Sequence, residues 1–138
     1  MDSSRAKALL LVAAAIITYA LAAFHAAFWV VFDWPDDLGR LTFENRAIMQ
    51  ALNVSLIYLL AVIASVSLFR RRDLLETSLG RLFSASVAGF WVVRLAVQAV
   101  FFGFGDPLSY VMSGLFVLMA VPYVLAALPE EPGRGFAR

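Results

Sequence analysis

The chain has 138 residues, 62% of them hydrophobic and only 15% charged, with a formal net charge of +1. An average soluble domain is roughly 45–50% apolar, and its helices carry charged faces that are missing here, so composition excludes a soluble globular fold and offers no basic surface for nucleic acid. The absence of cysteine removes disulfides, thiolate metal sites, iron–sulfur clusters and thiol nucleophiles together, and with a single histidine a zinc site would need several carboxylates, so no metal site is expected.

The first apolar run extends from about Ala6 to Phe32. Arg5 and Lys7 before it and Ala20-Leu21-Ala22 within it have the layout of a secretory signal. The run continues through Phe24, Phe28, Trp29, Val30, Val31 and Phe32, longer than such a region, so a retained span is expected. Asp33-Trp34-Pro35-Asp36-Asp37 closes it. A second span runs from about Asn45 to Phe69, with Thr42 as its cap and Glu44 at its positive end, and Arg70-Arg71-Arg72-Asp73 stops it. A third covers about Leu79 to Phe102. Gly103-Phe104-Gly105-Asp106-Pro107 then turns tightly into a fourth, from about Leu108 to Leu128, which Pro129 ends; residues 129–138 form a polar tail.

Each run reaches the roughly 20 residues a helix needs to cross the hydrocarbon, and unbroken apolar runs favour helices over a barrel. Short connections between consecutive helices imply antiparallel neighbours. The expected fold is all-α: an integral membrane four-helix up-and-down bundle, with residues 1–128 in a single domain. Arg5 and Lys7, then Arg70, Arg71, Arg72 and Arg81, then Arg134 and Arg138 fall on one side of it, while the first connection is acidic and the third has Asp106 and no basic residue. The Lys/Arg bias therefore predicts cytoplasmic termini, in a protein of the bacterial inner membrane.

Three polar residues interrupt the spans at similar depth. At 1.5 Å per residue, His25, Asn53 and Arg94 each lie about 12 Å from the outer end of their helices. Arg46, Gln50 and Asn53 share one face of the second helix, Arg94 and Gln98 one face of the third, and His25 and Trp29 one face of the first. Polar stripes in lipid turn toward protein, so His25, Gln50, Asn53, Arg94 and Gln98 are the expected ligand-binding set, open to the outside. Arg94 is the most informative: a central arginine costs about 2.5–3.5 kcal/mol on insertion scales, and no acid lies at its level. Asn53, Gln98, a backbone carbonyl, water or an anionic ligand would compensate it, and snorkelling is the plain alternative. Its side chain tilts toward the helix N-terminus and so leans deeper.

His25 is read either as a hydrogen-bonded packing residue or as a neutral acid/base. As a haem ligand it lacks a second histidine, with only Met49 or a symmetry copy to complete the coordination, so no cofactor is expected. Tyr19, Tyr58 and Trp91 suit the core or a pocket floor. Trp29, Trp34 and Tyr110 suit an outer aromatic belt. Ala22, Ala23, Ala26 and Ala27, with Ser84/Ala88 and Ser113/Gly114, allow close helix approach.

Three functions fit these residues. One is a binding or accessory protein that holds an anionic lipid-like or small ligand against Arg94. Another is a structural subunit of a homo-oligomer or larger membrane complex. The third is a membrane enzyme on a lipid-like substrate, with His25 as acid/base, Arg94 stabilising charge and Asn53 orienting. Membrane lipids are expected partners in all three.

Overall fold

The computed structural model describes residues 3–129, which contain no strand. The helices in chain order are α1 (Ser3–Ala26), α2 (Phe28–Val31), α3 (Trp34–Asp37), α4 (Phe43–Phe69), α5 (Arg71–Glu76), α6 (Ser78–Phe101) and α7 (Pro107–Ala127), with one 3-10 turn at Leu38–Arg40. Of these, α1, α4, α6 and α7 are long and apolar enough to cross a membrane. The chain is an integral membrane protein on that ground. Arg134 and Arg138 of the expected tail lie outside the described residues. The contacts gather into two compact units: one is Val12–Phe69, and the other takes the described residues up to Leu11 and from Arg70 onward.

In the unit Val12–Phe69, polar contacts join α1 and α4 at two levels. Tyr19 Oη lies 2.8 Å from Ser65 Oγ, and Asn53 Nδ2 donates to the His25 carbonyl at 2.9 Å, so the helices run antiparallel. The buried stripe of α1 here is Ala14, Ala15, Thr18 and Ala22, and that of α4 is Asn53, Leu60, Ile63, Ala64 and Ser67. Both follow the helical period. Thr18, Ser65 and Ser67 return their hydroxyls to the carbonyl four residues back, which satisfies each hydroxyl's donor within its own helix. Thr42 acts as the expected cap of α4, its Oγ1 accepting from the Asn45 amide at 3.4 Å.

The first apolar run is not one helix to Phe32. The ladder breaks after Ala26, where the Ala27 amide is shared between the Ala23 and Phe24 carbonyls at 3.0 and 3.1 Å. The chain resumes as α2 and then reverses at Asp33, which adopts the left-handed conformation with φ 47°; aspartate tolerates that region better than most residues. The reversal folds Trp34 back so that its ring lies 5.5 Å from Phe28 and 5.0 Å from Trp29. Trp34 is buried rather than part of an exposed belt. Tyr110 is exposed as a belt residue would be, and Tyr58, expected in the core, is 73% exposed.

In the other unit, α6 and α7 form an antiparallel hairpin. Its buried seam comprises Gly80, Ser84, Val87, Ala88, Trp91 and Gln98 on α6, and Ser109, Phe116, Met119, Pro122, Tyr123 and Ala126 on α7. Trp91 and Phe116 stack with centroids 6.1 Å apart. Gly103, at φ 65°, follows the end of α6, and its amide returns to the Gln98 carbonyl at 3.1 Å; glycine takes this left-handed position without steric cost. Asp106 then caps α7 through the Ser109 amide at 3.0 Å, with Pro107 in the first turn, where its missing N–H is harmless.

The basic run Arg70–Arg72 ends α4 but continues as α5, anchored by buried Leu74. Thr77 links α5 to α6: its hydroxyl donates to the Asp73 carbonyl at 2.8 Å and accepts from the Gly80 amide at 2.9 Å. The approach is so close that a Cβ on Gly80 would meet the Asp73 carbonyl oxygen and stand 2.5 Å from Leu74 Cα. Backbone cannot swing aside as a side-chain tip can, so overpacking strain of about 1–3 kcal/mol is expected. Gly80→Ala should therefore lower the thermal unfolding midpoint in detergent. Gly89→Ala, whose Cβ meets nothing within 4 Å, should leave it unchanged or raise it, since alanine is favoured over glycine by about 0.8–1.0 kcal/mol in a helix interior.

Candidate functional site

The expected site residues divide between the units: His25, Gln50 and Asn53 belong to Val12–Phe69, and Arg94 and Gln98 to the other. His25 stands in the last turn of α1, not about 12 Å below the end of a longer helix. Its Nδ1 lies 2.9 Å from the Leu21 carbonyl. A carbonyl only accepts, so this contact requires a proton on Nδ1, which donates. The imidazole stacks on Phe28 with centroids 4.6 Å apart and meets Phe24 edge-on at 6.0 Å. The sequence places these aromatics at helical spacing around His25, but the stack depends on the break at Ala27, which no proline or glycine marks.

Asn53 is buried and has a definite task. The carbonyls of a helix's last turn have no ladder partner, and Asn53 Nδ2 reaches across from α4 to one of them, that of His25. Gln50, one turn earlier on the same stripe, and Arg46, one turn before that, are half-buried.

Arg94 is also half-buried. Its Cζ lies 4.6 Å from the centroid of the Phe116 ring, a cation–π contact. Phe116 is the same ring that stacks on Trp91, one turn nearer the start of α6, so the guanidinium leans toward its helix N-terminus as the Cα–Cβ direction requires. It makes no ion pair with a described residue, and its Nη1 is buried without a hydrogen-bond partner among them. The Trp91 Nε1–H is buried and unpartnered in the same way, as are the Ser84 and Ser113 hydroxyls. By the hairpin register Ser113 falls between the Gln98–Ser109 and Arg94–Phe116 levels, while Ser84 lies well below them. Arg94 and Trp91 present N–H groups that only donate, and no described residue accepts from the Arg94 Nη1 or the Trp91 Nε1.

Gln98 belongs to a separate chain of polar contacts leading out of the seam. Its Nε2 stands 3.5 Å from Ser109 Oγ, which donates to Asp106 Oδ2 at 2.7 Å. The Ser109 hydroxyl, with the Ser109 amide second, holds the Asp106 carboxyl below the usual carboxylate range by favouring its charged form. Phe116 and Ser109 escaped sequence analysis because neither residue type marks a site. The Asp106–Ser109 spacing is a capping signal hidden in what reads as a turn. Among the described residues no group of three or more His, Asp or Glu could hold a metal ion.

No protein-family model matches the chain, and neither a curated protein nor a solved structure matches it.

Two outcomes follow from this geometry. Polar pairs between membrane helices average about 0.6 kcal/mol, so Asn53→Leu should leave a folded protein with a small loss of thermal stability in detergent. The Asp106 carboxyl, lowered in the folded state, stabilises the start of α7 above its unfolded pKa and loses that contribution as pH falls through the folded one. Acidification below the ordinary carboxylate range should therefore destabilise the wild type more than Asp106→Asn, whose cap does not titrate.

Proposed function

We propose that the chain is a small binding or accessory protein of the membrane whose α6–α7 seam holds the anionic group of a lipid-like or small ligand against Arg94. The observation that carries this reading is the pairing of the unpartnered Arg94 Nη1 with the unpartnered Trp91 Nε1–H, one turn apart on the same helix. A carboxylate or phosphate oxygen is the complement of such donors, and guanidinium suits both. In this reading the spans cross alternately with both termini cytoplasmic, as the Lys/Arg bias favours, in a bacterial inner membrane. Arg94 then lies toward the outer surface.

Acid/base catalysis by His25 has less support, because Nδ1 is engaged by Leu21 and Asn53 by backbone. One observation favours a structural subunit instead. Tyr58 places an exposed phenol in mid-span of α4, where a hydroxyl in a lone copy would meet lipid tails; a neighbouring helix would supply its partner.

Native mass spectrometry with dodecanoate as probe tests the reading. The wild type is expected to retain the carboxylate and Arg94→Leu to lose it. The variant should remain folded, because it loses a cation–π contact of about 0.5–2 kcal/mol and also removes a buried donor left without a partner. Equal retention by both proteins would refute the site.

A further inference from the structure

The start of α1 and helix α5, both in the unit that holds the α6–α7 hairpin, enclose a small cavity of about 230 Å³ lined by Ser4, Arg5, Ala8, Arg72, Leu75 and Glu76. Arg5 and Arg72 are 67 positions apart in sequence and reach one lining only through the fold. Both are exposed, and neither forms an ion pair with a described residue, although Glu76 borders the same cleft. Arg70, by contrast, is paired with Asp73. The cleft is thus lined by two arginines and one glutamate, and neither arginine is ion-paired with a described residue.

Position gives the occupant. The lining comes from the first turns of a membrane span and from the helix that directly follows another span, the level at which a chain leaves the hydrocarbon and meets headgroups. Lys7, Arg71 and Arg81 lie close in sequence and add to the positive potential that draws anionic lipid to such a surface. Guanidinium forks match phosphate oxygens, and Ala8 and Leu75 provide apolar lining for the glycerol and first methylenes. We propose that this cleft binds the phosphodiester of an anionic phospholipid headgroup between Arg5 and Arg72. It is independent of the Arg94 site and shares no residue with it.

The test uses the full chain in nanodiscs of mixed phosphatidylcholine and phosphatidylglycerol, with native mass spectrometry reading which lipid is retained. Arg5→Gln/Arg72→Gln should cut the preference for phosphatidylglycerol about tenfold more than Arg71→Gln/Arg81→Gln, which removes the same charge outside the cleft. Glu76→Gln should raise the preference about fivefold, a gain that misfolding cannot imitate. Equal losses in the two double variants would overturn the proposal, as would no change in Glu76→Gln. In nanodiscs of phosphatidylcholine alone, millimolar inorganic phosphate should leave Arg5 and Arg72 open to arginine-directed labelling. Protection by phosphate without a phosphatidylglycerol preference would assign the cleft to a soluble anion and overturn the lipid.

Discussion

In a bilayer no water stands ready to satisfy a backbone group, so every interruption of a helix must bring its own hydrogen-bond partner. This chain interrupts its helices several times and answers differently each time. At the end of α1 the answer is a side chain from another helix, Asn53. Between α5 and α6 it is Thr77, which donates to one helix and caps the next. At the hairpin a left-handed glycine closes α6 and an aspartate opens α7. Each device holds a connection in one geometry, and the stacking of His25 on Phe28 and the close seat of α5 on Gly80 follow from them.

Side chains obey the same constraint. Thr18, Ser65, Ser67 and Ser86 return their hydroxyls to their own helix, so the donor of each is satisfied there. Against that background the buried side-chain atoms left without a partner among the described residues, on Ser84, Trp91, Arg94 and Ser113, all lie on α6 and α7. Buried polar groups are nearly always bonded, so the concentration of exceptions on one hairpin, with a cation among them, is the observation on which the proposed ligand site rests. The Phe116 face offsets part of the desolvation of Arg94 but accepts no hydrogen bond of ordinary strength.

The spans are legible in sequence because twenty apolar residues leave few alternatives, and the Thr42 cap is legible because its residue type states its role. The break after Ala26 is not legible, since no proline or glycine marks it and the side chain that serves the His25 carbonyl lies on another helix. The helical face shared by Arg94 and Gln98 is readable from spacing alone. What each touches is not: Arg94 meets an aromatic ring where a polar group was expected, and Gln98 leads to Ser109 and Asp106. Burial of Trp34 depends on the left-handed turn at Asp33, and position next to a proline gives only half of that signal.

The Asn53 cap also makes the end of one helix depend on the docking of another. Its donor lies 28 residues after the carbonyl it serves, so the first span does not carry its own terminus. Cut away from the second span, as a peptide of residues 3–32 would be, the first helix lacks the amide that serves its last turn, and that turn is left to solvent. Where the first helix stops is a property of the pair rather than of either segment.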